Sequence, residues 1–204
     1  MKYDPDKHHR RSLRLKGYDY ASPSAYFITI CTQNRACLFG EIDNGVMQLN
    51  DAGQMVQRVW VDLPQRFPAI ELNAFVIMPN HIHGIIQFTH DAIAGTGERA
   101  GTRPAPTEEQ NNLVGVPLVG TPVTEPGATL GEIVGTFKSI STHEYAIAMK
   151  QRHWEPFHRR LWQRNYYEHI IRDTISFEKI EDYVQTNPQR WHLDQLHPES
   201  PSKW

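Results

Sequence analysis

The stretch Ala74-Phe75-Val76-Ile77-Met78-Pro79-Asn80-His81-Ile82-His83-Gly84-Ile85-Ile86-Gln87-Phe88 decides how this chain is read. Its branched and aromatic residues predict two strands, Leu72 to Met78 and His81 to Phe88. Side chains alternate across a strand, so His81 and His83 point one way while Ile82 points into the opposite layer. Two imidazoles on one face of a rigid strand make a candidate metal site. The bland alternative is a pair of solvent-facing strand residues, and the apolar company of the two histidines argues against it.

A second feature lies far downstream. The run Thr174 to Pro188 predicts an amphipathic helix with Phe177, Ile180, Tyr183, Val184 and Asn187 along one stripe and charges opposite. Pro188 disfavours helical geometry at Asn187, so the helix is expected to end there. Tyr183 and Asn187 are one turn apart on the same face, so a phenol and an amide oxygen can be delivered together to a metal on the histidine pair.

Working outward, Ala25 to Thr32 reads as a strand and Gly40 to Leu49 as a weaker one interrupted by an Asp43-Asn44-Gly45 turn signal. Asn50 or Asp51 caps a helix carrying Met55, Val56, Val59, Trp60 and Leu63, which Pro64 helps to end. Residues from about 90 to 127 are rich in Gly, Pro, Thr, Ala and Glu without a sustained period, and are expected to be a disordered insertion. A helix from Leu130 to about Met149 follows, then a strand from Trp162 to Ile171, then the Tyr183 helix. The end from about 191 to 204 is expected to be a loose tail. This order implies one domain over residues 1–204, an α+β antiparallel sheet with packed helices.

The chain has 204 residues and a formal net charge of −2. It lacks the run of about 20 apolar residues that a membrane span requires, and the charged start does not resemble a signal peptide, so a soluble, cytoplasmic protein is expected. Two cysteines, Cys31 and Cys37, are too few for a disulfide framework or a zinc ribbon. The net charge conceals an uneven distribution. Asp91 to Gly127 carries five acids against Arg99 and Arg103, whereas Lys150 to Arg172 carries six basic residues against Glu155 and Glu168. The arm His8 to Lys16 has no acid. Local patches of this kind, not the total, govern affinity for phosphate.

The H-x-H strand, the single-tyrosine helix and three phrases, Arg11-Ser12-Leu13-Arg14-Leu15-Lys16-Gly17-Tyr18-Asp19-Tyr20, Tyr26-Phe27-Ile28-Thr29-Ile30-Cys31-Thr32 and Leu161-Trp162-Gln163-Arg164-Asn165-Tyr166-Tyr167-Glu168-His169-Ile170-Ile171-Arg172, together resemble single-tyrosine HUH transposases. Within that group the resemblance is to the REP-associated tyrosine transposases of bacteria. It covers the chain except roughly residues 90 to 127. It implies a ferredoxin-like sheet with the H-x-H on a central strand. It further implies a metal-dependent single-strand DNA endonuclease and strand transferase, active on hairpin-containing DNA, in which Tyr183 forms a covalent 5′-phosphotyrosine. His81, His83 and Asn187 would hold the metal, although the family position of Asn187 is often Gln. Mixed imidazole and carbonyl ligation suits Mg²⁺ or Mn²⁺, while imidazole alone would also take Zn²⁺.

Other residues compete for roles. Tyr145, Tyr166 and Tyr167 are alternative nucleophiles from sequence alone, and the resemblance favours Tyr183. The stretch Arg152 to Tyr167 interleaves cations with rings, the pattern of a surface for single strands, where cations follow phosphates and rings stack on bases. Trp162 is assigned to the core, and Arg159, Arg160 and Arg164 to DNA. Lys138, His169 and the arm residues Arg10, Arg11, Arg14 and Lys16 are further DNA-binding candidates, the arm for the foot of a hairpin. A monomer or homodimer associated with the nucleoid is expected. Two rivals remain: a non-catalytic binder of palindromic repeats, and a metallohydrolase using a bound water. The second lacks an evident carboxylate, since Glu71 lies ten residues before His81.

Overall fold

A computed structural model describes residues 24–89 and 128–200. Arg10, Arg11, Arg14 and Lys16, the insertion and the last four residues lie outside the described residues. The elements are β1 (Ala25–Cys31), β2 (Gly40–Asp43), β3 (Val46–Leu49), α1 (Asp51–Val61), α2 (Leu63–Arg66), β4 (Ile70–Met78), β5 (His81–Phe88), α3 (Leu130–Arg152), β6 (Tyr167–Ile171) and α4 (Thr174–Thr186), followed by a 3-10 turn over Asn187–Leu193. Four strands form an antiparallel sheet in the order β4-β5-β1-β6, and β2 and β3 form a separate hairpin. With the hairpin and the short α2 set aside, the succession βαββαβ and this strand order define a ferredoxin-like α+β fold. The H-x-H strand, β5, is central. No helix among the described residues is long and apolar enough to cross a membrane.

Strand alternation divides the sheet into two faces. On one, Tyr26, Ile28 and Ile30 of β1 and Ile82 and Ile86 of β5 are buried against Met55, Val56 and Trp60 of α1 and Ile133 and Phe137 of α3. Gly84 belongs to this face because a Cβ there would lie 2.5 Å from Cζ2 of Trp60. Its missing side chain is the space the indole occupies. The opposite face carries Phe27, Thr29, His81, His83 and Ile85, and α4 covers part of it with Val184, Phe177 and Ile180. Helices α1, α3 and α4 begin on side-chain caps: Asn50 accepts from Gly53 N, Thr129 and Glu132 form a capping box, and Asp173 accepts from Ser176 N.

The structure departs from the sequence expectations at several boundaries. Gly40 to Leu49 is two strands joined by Asn44-Gly45, both with positive φ (49° and 77°), the geometry of a tight primed hairpin turn. Pro64 does not stop a helix but occupies the first turn of α2, where no N–H is needed. Only Tyr167–Ile171 of the expected Trp162–Ile171 strand is regular. Leu161 and Trp162 instead turn into the core, Trp162 meeting Thr32 in a lone bridge while its indole N–H donates to Ser141 Oγ at 2.9 Å.

The tail expectation is also corrected, because residues 191–200 are docked. Arg35 donates to the Gln195 carbonyl at 3.2 Å, Asn80 Nδ2 donates to the Leu196 carbonyl at 2.8 Å, and the Trp191 ring lies 6.0 Å from that of His81. Pro188 sits inside the 3-10 turn that folds the chain back over the histidine face.

Candidate metal and tyrosine centre

His81 and His83 are fully or almost fully buried on the α4 side of β5, and their Nε2 atoms are 3.1 Å apart. Each ring is held from behind. Asn80 uses its amide N–H groups on the carbonyls of Arg35 and Leu196, so its oxygen must face His81, at 2.8 Å from Nδ1. That oxygen can only accept, which puts the single proton of a neutral His81 on Nδ1 and leaves the Nε2 lone pair free. Thr29 Oγ1 stands 2.8 Å from His83 Nδ1 and gives the second ring a matching anchor.

Burial pushes His81 down to about 3, and burial with the neighbouring His81 holds His83 well below the usual histidine range. Both are therefore neutral at neutral pH, and the 3.9 Å approach of Asp194 Oδ2 to His81 Nε2 is not an ion pair. When Thr29 accepts from His83 Nδ1, both Nε2 lone pairs face the same place, an arrangement that a cation between them would stabilise. Their 3.1 Å separation suits neighbouring nitrogen ligands about 2.1 Å from one ion.

The other two walls of the centre are oxygen-bearing. Donor atoms of His81, His83 and Asp194 all lie within 4.8 Å of one another. Asp194 comes from the docked tail, where its Oδ1 accepts from Leu196 N and its Oδ2 accepts from Asn187 Nδ2 at 3.3 Å. Asn187 is buried at the start of the 3-10 turn, and its Oδ1 has no hydrogen-bond partner. A buried orphan oxygen costs free energy, and a cation at this place would satisfy it. The donor set of two neutral imidazoles, a carboxylate and an amide oxygen fits a divalent metal.

Tyr183 stands on the exposed turn of α4, its hydroxyl 3.3 Å from His83 Nε2 and its ring edge-on to Phe27 at 6.0 Å. The residue as a whole is 38% exposed. Burial, then the negative charge of Asp194, push the phenol up to about 12, against a hydrogen bond from Asn187. The ring would therefore not ionise unaided at neutral pH.

The remaining candidates are dispersed. Tyr145 is buried in the other layer, donating to the Glu155 carbonyl at 2.9 Å, and Tyr166 packs against the core. His169 and Tyr167 stand exposed on β6, and Arg159, Arg160 and Arg164 are exposed. Lys138, expected on DNA, is engaged within the protein: its ammonium donates to the carbonyls of Gln163 at 3.0 Å, Arg164 at 3.4 Å and Asn165 at 3.1 Å and lies over the Tyr166 ring. Three carbonyls turned toward one amine satisfy it fully, which leaves no donor for phosphate. Asp194 is the residue that sequence reasoning missed. Its placement seven residues after Asn187, just past a proline turn, was the available signal.

The fold and this centre define a ferredoxin-like α+β protein with a buried histidine pair, a carboxylate and a tyrosine at one point on the sheet. The chain belongs to one family with an uncharacterized protein of Haemophilus influenzae (strain ATCC 51907 / DSM 11121 / KW20 / Rd), to which it is 43% identical over 196 residues, 96% of this chain and 97% of the other. No family model matches it. Among solved structures, it is similar to a REP-associated tyrosine transposase bound to a REP hairpin, with 18% identity and a TM-score of 0.49 over 89% of this chain and 72% of that one.

Proposed function

We propose that this protein is an HUH-type tyrosine DNA nuclease and strand transferase, acting on single-stranded DNA that carries REP-like hairpins. The observation that carries the reading is the hydroxyl of Tyr183 beside His83 Nε2, at a half-open position in a centre whose other donors converge. The motif resemblance of the sequence supports it independently. In this reading the Tyr183 oxygen attacks the scissile phosphorus as the bond from phosphorus to the 3′-oxygen breaks. The phenol proton leaves to solvent, and the departing 3′-oxygen takes one up as a hydroxyl. A 5′-phosphotyrosine retains the phosphodiester energy, so reversal with another 3′-hydroxyl rejoins DNA without ATP.

His81, His83, Asp194 and Asn187 would hold Mg²⁺ or Mn²⁺, which when bound supplies positive charge for the phosphate oxygens and for ionisation of the phenol. Asn80 and Thr29 keep the two imidazoles aimed. Exposed Arg159, Arg160 and Arg164 serve phosphate, and the basic N-terminal arm serves the hairpin foot.

The test is a denaturing gel of the protein with a hairpin-bearing single-stranded oligonucleotide and Mn²⁺. A covalent protein–DNA adduct that is lost with chelator and in Tyr183→Phe is the expected result. Absence of an adduct with cleavage retained in Tyr183→Phe would sink it. That outcome would favour the second reading, a metallohydrolase using a bound water, which gains from the Asp194 carboxylate at the histidine pair. Tight hairpin binding with no cleavage at all would leave a palindrome-binding protein.

A further inference from the structure

α4 packs chiefly over β4 and β5, and among the described residues the same face of the sheet is exposed on β6 at positions 167 and 169. Two rings stand on this strip. Tyr167 pairs across from Thr29 and His169 from Phe27, so strand alternation turns both toward the face that bears the histidine pair. Tyr167 is 50% exposed, a large amount for a ring on a sheet. Phe27 links this strip to the centre: it is edge-on to Tyr167 at 6.3 Å and to Tyr183 at 6.0 Å, and stacks on His83 at 5.3 Å.

The chain before β6 follows the same edge. Gln33 N donates to the Leu161 carbonyl, Thr32 bridges Trp162, and Gln163 N donates to the Cys31 carbonyl. Lys138 then gathers the next carbonyls and fixes the loop into β6. The edge that starts at Leu161, just after the exposed Arg159 and Arg160, thus carries the exposed Arg164 and then the rings of Tyr167 and His169. The acid between the rings, Glu168, lies opposite Ile28 and so on the other face. Asp173, just beyond the strand, is engaged as the cap of α4.

We infer that the β6 edge is a binding platform for single-stranded DNA, on which Tyr167 and His169 stack unpaired bases while Arg159, Arg160 and Arg164 follow the phosphates toward Tyr183. Residues two apart on a strand are separated by about 6.7 Å, room for one base against each ring. A duplex hides its base faces, so exposed flat rings beside cations select an unpaired strand. The inference rests on the proposed function for the identity of the strand, but its binding step needs neither metal nor Tyr183.

The experiment titrates the full chain, in chelator, with an unstructured oligonucleotide carrying 2-aminopurine at successive positions. One or two positions should be quenched on binding. Tyr167→Ala and Tyr167→Leu, the latter keeping apolar bulk without a ring face, should each weaken binding by about tenfold and abolish quenching at one position. Tyr167→Trp should keep both. Unfolding midpoints equal to wild type show that the half-exposed position is not structural. Wild-type affinity and quenching in both Tyr167→Ala and Tyr167→Leu would overturn the platform, whatever the adduct assay shows. Loss of the adduct alone, with this pattern intact, would instead overturn the proposed chemistry and leave the platform standing.

Discussion

The two faces of β1 and β5 are made by the same strands, one residue out of step, and could hardly differ more. Tyr26, Ile28, Ile30, Ile82 and Ile86 on one side are fully buried among rings and branched chains. Thr29, His81 and His83 on the other are as deeply buried, yet polar. Burying a polar group is costly unless it has a partner. Here each is given one: Thr29 for His83, Asn80 for His81, Asn187 for Asp194. What is left over, an Nε2 atom from each histidine and a carboxylate oxygen of Asp194, lies together at a single place, beside Asn187 with its unpartnered buried Oδ1. The apolar face supplies stability, and the polar face gives some of it up to keep unspent ligands together.

The sharpest way to break this comparison is to substitute neighbours of opposite face. His83→Gln should lower Mn²⁺ affinity by more than the roughly 10- to 100-fold typical of outer-shell partners, with little change in unfolding free energy in chelator. Ile82→Ala should do the reverse, costing about 2 to 5 kcal/mol of stability with metal affinity kept in the folded fraction. Calorimetric metal titration and urea unfolding separate the two. If Ile82→Ala proves as damaging to metal affinity as His83→Gln, the faces are not independent.

Asn80→Ala probes the same face one step further out. The change frees the proton of His81 to move to Nε2 and releases the Leu196 carbonyl, so both an imidazole and the Asp194 segment lose their orientation. Mn²⁺ affinity should fall by about 10- to 100-fold. Asp194→Asn, which removes the charge of a proposed ligand, should lower it at least as much. Unchanged affinity in both would show that the docked tail is incidental to the site.

The contrast between faces is also what made part of the molecule readable. A period of two in Ala74 to Phe88 dictates that His81 and His83 share a face, and a period of 3.6 in Thr174 to Thr186 dictates that Tyr183 and Asn187 do. Asp194 obeys no period. It arrives through a proline turn and a handful of backbone hydrogen bonds, which one-dimensional patterning does not encode. The contacts of Lys138 are hidden from patterning for a related reason: a lysine on a helix looks solvent-directed until a loop 25 to 27 residues later turns three carbonyls toward it. Trp162, read as core, is core, because a large ring next to Leu161 had a helix to bury against. The strand it was placed in was too long, since its residues anchor a loop instead of a ladder.

Acid should expose the cost of the polar face. In chelator, His81 has its folded value lowered from 6.5 to about 3, and His83 is lowered as well. Both take up a proton more readily when unfolded, so their contribution is fully present above about 6.5 and is lost as pH falls toward the folded values. The slope is about 1.4 kcal/mol per pH unit for each histidine. Urea unfolding at pH 7 and pH 5 should therefore show a loss that includes about 2 kcal/mol from His81, and His81→Gln should make the loss smaller. An identical acid loss in His81→Gln would place the sensitivity elsewhere in the molecule.

The smallest effect concerns cations, and it distinguishes one that binds DNA from one that only shapes the surface. Arg160 is exposed just before the edge that leads into β6, whereas Lys138 spends its donors on the carbonyls of Gln163, Arg164 and Asn165. Each phosphate neutralised on a single strand contributes about 0.7 to the slope of log affinity against log salt. Arg160→Gln should lower that slope by about this amount. Lys138→Met should leave the slope unchanged and weaken binding equally at every salt concentration, because it loosens the loop that leads into β6 without removing a phosphate contact. A reduced slope for Lys138→Met would mean that the amine leaves its three carbonyls for a phosphate, and the loop would then be ordered by DNA and not by Lys138.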